Sequence, residues 1–240
     1  MDLSTRDLTE APLALADLHR EVGVGTAVRL ALPSGDEEHR RRARAVVEAG
    51  GFAIDRCTPT DQSIEVAATA LRALPDHVGA DMRLLCCGLN PSLHAADAGV
   101  GYVTGSNRFW KAMALAGLST RDRDPFHLLR HDRIGMTDLV KRPTARADEL
   151  ATAEYRDGVE RLAELCDWLQ PAAVAVVGLA GWRAAVDRKA TVGWQPRHLG
   201  PSPVYVLPST SGLNAGTSLA DLVEHLLAAA AGPSGHGDGS

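Results

Sequence analysis

The sequence predicts a three-layer α/β/α domain with a mainly parallel central sheet, preceded by a small N-terminal α/β extension. Two observations carry that expectation. From residue 83 onward, short apolar runs alternate with longer amphipathic ones, the rhythm of strands joined by crossover helices. The helical runs also carry their end signals: Ser218 with Asp221 three positions on opens one helix, and the Gln170-Pro171 pair closes another.

Taken in order, the first 20 or so residues give no clear assignment. TAVRLALP (26–33) reads as a strand, GDEEHRRRARAVVEAG (35–50) as a helix stopped at the Gly50-Gly51 pair, FAIDRCTP (52–59) as a strand, and SIEVAATALRALP (63–75) as a helix. Acidic residues 36–38 can pair at i,i+4 with the basic run 40–44, which makes those arginines a solvated face rather than a nucleic-acid arm. In the second unit the strands are RLLCCGL (83–89), IGMTDLV (134–140), AAVAVVGL (172–179) and VYVLPS (204–209). The helices are 107–118, 152–170, 180–189 and 218–231. The expected boundaries are 1–78 for the extension, 79–232 for the main domain, and 233–240 for a disordered Gly/Ser-rich tail that cannot repay its ordering entropy. The extension is expected to act as a partner-binding or packing module.

A hydrophobic content of 45% in 240 residues allows a sizeable core. No run approaches the roughly 18 apolar residues of a membrane span, and the acidic start lacks the basic and apolar regions of a signal peptide. A cytoplasmic location is expected. Cys86 and Cys87 are adjacent on one strand and point to opposite faces, and there is no C-x-x-C pair, so the four cysteines are expected to be reduced and buried, with no metal or cofactor. Formal net charge is −5, yet 105–146 holds 9 basic residues against 4 acidic ones, a local positive field.

In open α/β sheets, ligands collect outside the carboxyl ends of the strands. Two strands here end in polar, Gly-containing loops, CGLNPS (87–92) and LPSTSGLNAGTS (207–218), and a pocket between them follows. Each loop alone is also an ordinary turn. Together with NRFWKAMALAGL and GMTDLVKRPT between them, GLNPSL and VLPSTSGL resemble, in order and spacing, the mismatch-specific uracil-DNA glycosylases related to thymine-DNA glycosylase. The resemblance covers about 80–232.

That resemblance implies a role for each matching residue. Asn90 would hold the water that attacks the sugar C1′, and backbone groups near Gly88 and Leu89 would face the base carbonyl. Tyr102 would stack on a flipped base. Ser92 stands where the family usually has Gly, close to a base's 5-substituent, and thymine would be excluded. Asp138 matches a position that helps read the base, a structural acid at a strand end being the competing reading. Asn107 and Lys111 would approach the DNA backbone, although a capping Asn at a helix start serves equally for Asn107. Ser211, Gly212, Leu213 and Asn214 match the wedge loop, with Leu213 filling the hole left by the extruded nucleotide, and Ala215 replaces a common Arg. The implied partner is duplex DNA with a mismatched or damaged base, bound by a monomer, with no membrane. A mismatch or abasic-site sensor without useful catalysis is the alternative that Ser92 and Ala215 motivate. A nucleotide-binding Rossmann protein would have to use GVGYVTG (99–105), which does not fit G-x-G-x-x-G.

Overall fold

The computed structural model describes residues 1–233, so all but the first residue of the expected tail lies outside the described residues. The chain opens with α1 (Ala11–Glu21), β1 (Ala27–Pro33), α2 (Glu37–Ala49), β2 (Phe52–Pro59) and β3 (Ser63–Ala70). Then follow β4 (Leu84–Gly88), α3 (Leu93–Ala98), α4 (Phe109–Leu115), α5 (Pro125–Arg130) and β5 (Ile134–Asp138). The last part holds α6 (Thr152–Leu169), β6 (Val174–Val177), α7 (Leu179–Ala185), β7 (Gly193–Trp194), β8 (Val204–Leu207) and α8 (Leu219–Ala231).

The extension is a three-stranded sheet in the order β1-β3-β2, with both pairings antiparallel. This corrects the helix expected at 63–75. Ile64, Val66, Ala68 and Ala70 alternate with more exposed residues, so the strand buries one face against Leu30, Leu32 and Phe52. Pairing on both sides overrides the helix propensity of its alanines. Helices α1 and α2 cover that face through Leu15, Val46 and Val47. The expected i,i+4 pairing is present as Glu38 with Arg42, while Arg41 reaches Glu164 on α6 at 2.8 Å and ties the extension to the main domain.

The main sheet runs β5-β4-β6-β8-β7, parallel except for the short edge strand β7. Adjacent residues of each inner strand feed different cores. Leu84 and Cys86 face Phe109, Trp110 and Met113 of α4 and Leu222 and Leu226 of α8, whereas Leu85 and Cys87 face Val159, Leu162 and Cys166 of α6 and Trp182 of α7. These two buried layers account for the three-layer architecture. The cysteines are free, three of them buried, and burial pushes the Cys86 thiol up to about 12, so it is an inert core side chain. Ser218 and Asp221 form the expected reciprocal cap on α8, and Gln170 ends α6 in a left-handed conformation. Among the described residues, no helix is long and apolar enough to cross a membrane.

Candidate active site

Strand β4 enters the sheet first, with β5 added on one side and β6 on the other, so the order of connection reverses beside β4. A crevice forms at such a point, outside the carboxyl ends of the strands. Here it is a cleft of about 270 Å³ lined from β4 by Leu89, Asn90 and Ser92, from β5 by Thr137 and Asp138, and beyond β8 by Ser209, Thr210 and Ser211. Tyr102 and Asn107 close it from the intervening loop. The two strand-end loops singled out in the sequence therefore meet. Arg108 N–H donates to Thr210 O at 3.0 Å, and Gly212 lies so close to Ser106 that a Cβ would stand 2.8 Å from its carbonyl oxygen.

Asn90 is half-buried and its amide orientation is fixed by chemistry. Its Nδ2 donates to Thr144 Oγ1 at 2.8 Å and to the carbonyls of Arg142 and Pro91, each at 3.2 Å. Carbonyl oxygens only accept, so the NH₂ must face them and Oδ1 is left for a ligand. Thr144 is buried and its own N–H is held by Pro91 O at 3.1 Å, which makes it a rigid support.

The run N-R-F-W-K divides its work residue by residue. Asn107 Oδ1 accepts from Phe109 N–H at 3.0 Å, the helix-start role named above, while the residue also lines the cleft. Phe109 stacks on one face of Tyr102 with centroids 4.1 Å apart, and buried Trp110 donates its indole N–H to Gly101 O at 2.9 Å. Both aromatics are core side chains, and both hold Tyr102 in place. Tyr102 has φ of +57°, a left-handed conformation costing roughly 1–2 kcal/mol outside glycine, which the packing beneath it sustains. Lys111 points to solvent and does not line the cleft.

Ser92 Oγ accepts from Ala95 N–H at 3.0 Å, so the hydroxyl caps α3. Asp138 is buried, and that burial pushes its carboxyl up to about 6; Lys141 pulls it back, Asp76 adds to the rise and Arg161 opposes it. Gly88 pairs with Asp138 across the ladder, and a Cβ there would overlap Asp138 Oδ1 and stand 2.8 Å from the Tyr102 hydroxyl. Only glycine lets the carboxyl and the phenol converge.

Four further residues lay beyond sequence reasoning. Leu74, Pro75 and His77, from the end of the extension, line the cleft, and His77 exchanges both backbone hydrogen bonds with Met136 at 2.9 Å. Burial brings His77 down to about 4, so it is neutral. Next to it, Asp76 is held below the usual carboxylate range. Burial alone would raise it, but Lys141 at 2.5 Å and Arg161 at 3.0 Å outweigh that. Arg161 also donates to Asp138 O at 2.5 Å, so this buried cluster braces the end of β5. No sequence signal pointed to these contacts, which span 23 to 85 residues.

Leu213 is 96% exposed, two positions beyond Ser211 of the cleft lining. A family model described as the uracil DNA glycosylase superfamily matches residues 75–230. The chain belongs to this superfamily. Its members are DNA glycosylases, hydrolases that break the N-glycosyl bond of uracil in DNA, and the matched span contains every cleft residue except Leu74. Five of the nine basic residues counted at 105–146 are paired, four of them at the surface. Arg121, Arg123, Lys141, Arg142 and Arg146 are all in ion pairs, with Asp124, Asp122, Asp76, Glu154 and Asp148 respectively.

Proposed function

We propose that this glycosylase is a monofunctional enzyme of the mismatch-specific type, which extrudes uracil from a G·U pair into the cleft and hydrolyses its glycosidic bond, leaving an abasic site. The observation that carries the reading is Asn90: three protein acceptors hold its NH₂, and its free Oδ1 is available to bind a water. An amide accepts a hydrogen bond but does not remove a proton. Water so held adds its oxygen to C1′ as the C1′–N bond breaks; the base departs as an anion with the bonding electron pair, and the proton shed by the water passes to solvent, from which the base is protonated. Backbone N–H groups near Gly88 and Leu89 would ease that departure by the logic of an oxyanion hole. The outer face of Tyr102 would stack on the base, worth roughly 1–3 kcal/mol. Flipping costs least at a mismatch, so G·U is favoured over A·U. Ser92 would crowd a 5-methyl group and disfavour thymine. Lys111 and Asn107 would meet the backbone of the duplex, while Ser211, Gly212 and Asn214 present Leu213 to it.

Single-turnover incubation with a G·U duplex, followed by alkaline cleavage, tests this reading. Strand breaks at enzyme excess are expected, faster than with A·U. An intact strand would remove the proposal. In the same assay Asp138 should show itself. As a carboxylate it would accept the N3–H of uracil, and it ionises as pH rises through about 6. The excision rate of the native chain should therefore climb across that range and level off, and Asp138→Asn, which does not titrate, should lose the inflection. An unchanged profile would free Asp138 from base reading. The same carboxyl has a matching effect on stability. Its folded pKa lies above the unfolded value, so its contribution is present below about pH 4 and is lost as pH rises to about 6.

A further inference from the structure

Arg108 is half-buried, and its guanidinium is turned onto one loop. Its Nη1 donates to Thr217 O, and its Nη2 donates to Asn214 O at 2.8 Å and to Ser211 O at 3.3 Å. With the backbone bond to Thr210 O, one residue at the start of α4 engages four carbonyls of a loop more than a hundred positions away. Those carbonyls lie on both sides of Leu213. The loop's own ties are all local: Asn214 Nδ2 donates to Ser209 O at 2.9 Å and to Thr217 Oγ1 at 3.1 Å, Ser211 N–H to Ser209 Oγ and Leu213 N–H to Ser211 Oγ at 3.3 Å each, Asn214 N–H to Ser211 O at 3.0 Å and Ala215 N–H to Leu213 O at 3.2 Å, so Arg108 supplies the side-chain anchor from outside it. Leu213, at 96% exposure, has almost no packing to set its direction, so the backbone beneath it must do so.

We propose that Arg108 is the positioning residue of the wedge: its planar fork gathers the carbonyls of Ser211, Asn214 and Thr217 and so presents Leu213 to the duplex in a preset conformation. The inference rests on the reading of Leu213 as the side chain that enters the base stack. A rigid fork serves several divergent carbonyls at once, and a lysine, a compact point charge on a flexible stem, does not replace it. The competing role for an arginine on a DNA-facing protein is a phosphate contact. Here three of the four Nη N–H groups already go to the loop, and Nε is buried.

The test uses the full chain and a duplex carrying a non-cleavable uracil analogue opposite guanine, with 2-aminopurine beside it as a fluorescent reporter of extrusion. The chain is studied as wild type, Arg108→Lys, Leu213→Ala and the double variant, each over a range of salt concentration. Charged hydrogen bonds to three carbonyls imply that Arg108→Lys lowers the extrusion equilibrium by about tenfold to a hundredfold. In the Leu213→Ala background it should lower it no further, because Arg108 acts through Leu213. The slope of binding affinity against salt should be unchanged.

Full extrusion in Arg108→Lys, or equal losses with and without Leu213, overturns the proposal. So does a salt slope shallower by about one counterion, which marks a phosphate contact. If Leu213→Ala itself leaves extrusion intact, the wedge reading falls and takes this inference with it, whereas an effect of Leu213→Ala without one of Arg108→Lys removes only the role of Arg108. Arg108→Gln, shorter and neutral, is read by the same criteria if the lysine variant does not fold.

Discussion

Asn90→Ala is expected to lower single-turnover excision of uracil from a G·U duplex by about 10²-fold, the scale lost when a reacting group is no longer held in place. Affinity for the same duplex should stay within a few-fold, since Asn90 is half-buried in the cleft wall and its proposed partner is the water. Asn90→Asp separates positioning from basicity. A carboxylate is the stronger base, but at this position one of its oxygens would face the carbonyls of Pro91 and Arg142, which now accept from Nδ2. Lone pairs would oppose lone pairs. The Asp variant is therefore expected to be slow as well, with its carboxyl held protonated by those neighbours. Retained excision in the Ala variant would place the chemistry elsewhere. Tight binding by a wild type that leaves uracil in place would instead favour the mismatch sensor.

Gly88→Ala should be nearly as damaging, for a reason of space. Gly88 sits within the parallel ladder, its carbonyl accepting from Leu139 N–H at 2.9 Å, so its backbone has little freedom to retreat. The new methyl group would overlap Asp138 Oδ1 and press on the Tyr102 hydroxyl. Both side chains would have to move towards the cleft, where the base is to lie. Overpacking of this kind costs typically about 1–3 kcal/mol, and excision should fall by a comparable exponent, roughly tenfold to a hundredfold. Adding Asp138→Ala removes the overlap with the carboxyl. The double variant should recover much of the thermal stability that Gly88→Ala loses, and additive losses would show that the two residues do not compete for space.

Much of the main domain was legible because its signals are local. Uninterrupted apolar runs gave β4, β5, β6 and β8, and the Ser218 cap gave α8, since hydrophobic pattern and end chemistry need no distant partner. Strand β3 was misread because its segment fits two periods. Ile64, Val66, Ala68 and Ala70 alternate, yet the alanines favour a helix, and pairing with β1 and β2 decided between them. The short helices α3 and α5 lie in stretches too brief to show periodicity. At the site, Asn90, Tyr102, Asp138 and Ser211 stand together in the cleft at the places their motifs suggested. What supports them was hidden: Thr144 lies 54 positions from Asn90 and Arg108 lies 109 from Thr217. Sequence spacing names the residue types but not which carbonyl each donor will find. The charge count at 105–146 is incomplete for the same reason, because Asp76, Asp148 and Glu154, which pair with three of its basic residues, lie outside that window.

On this reading the strand-end loops at 87–92 and 207–218 close over one extruded nucleotide. A crystal structure of the chain with a G·U duplex in which the uridine carries a 2′-fluorine, slowing loss of the base, tests it most directly. Uracil is expected in the cleft, stacked on Tyr102 with its C1′ facing Asn90 Oδ1, and Leu213 inserted in the duplex where the nucleotide had been. Uracil still paired with guanine inside the helix, or seated in a cavity that Asn90 and Tyr102 do not line, would contradict it.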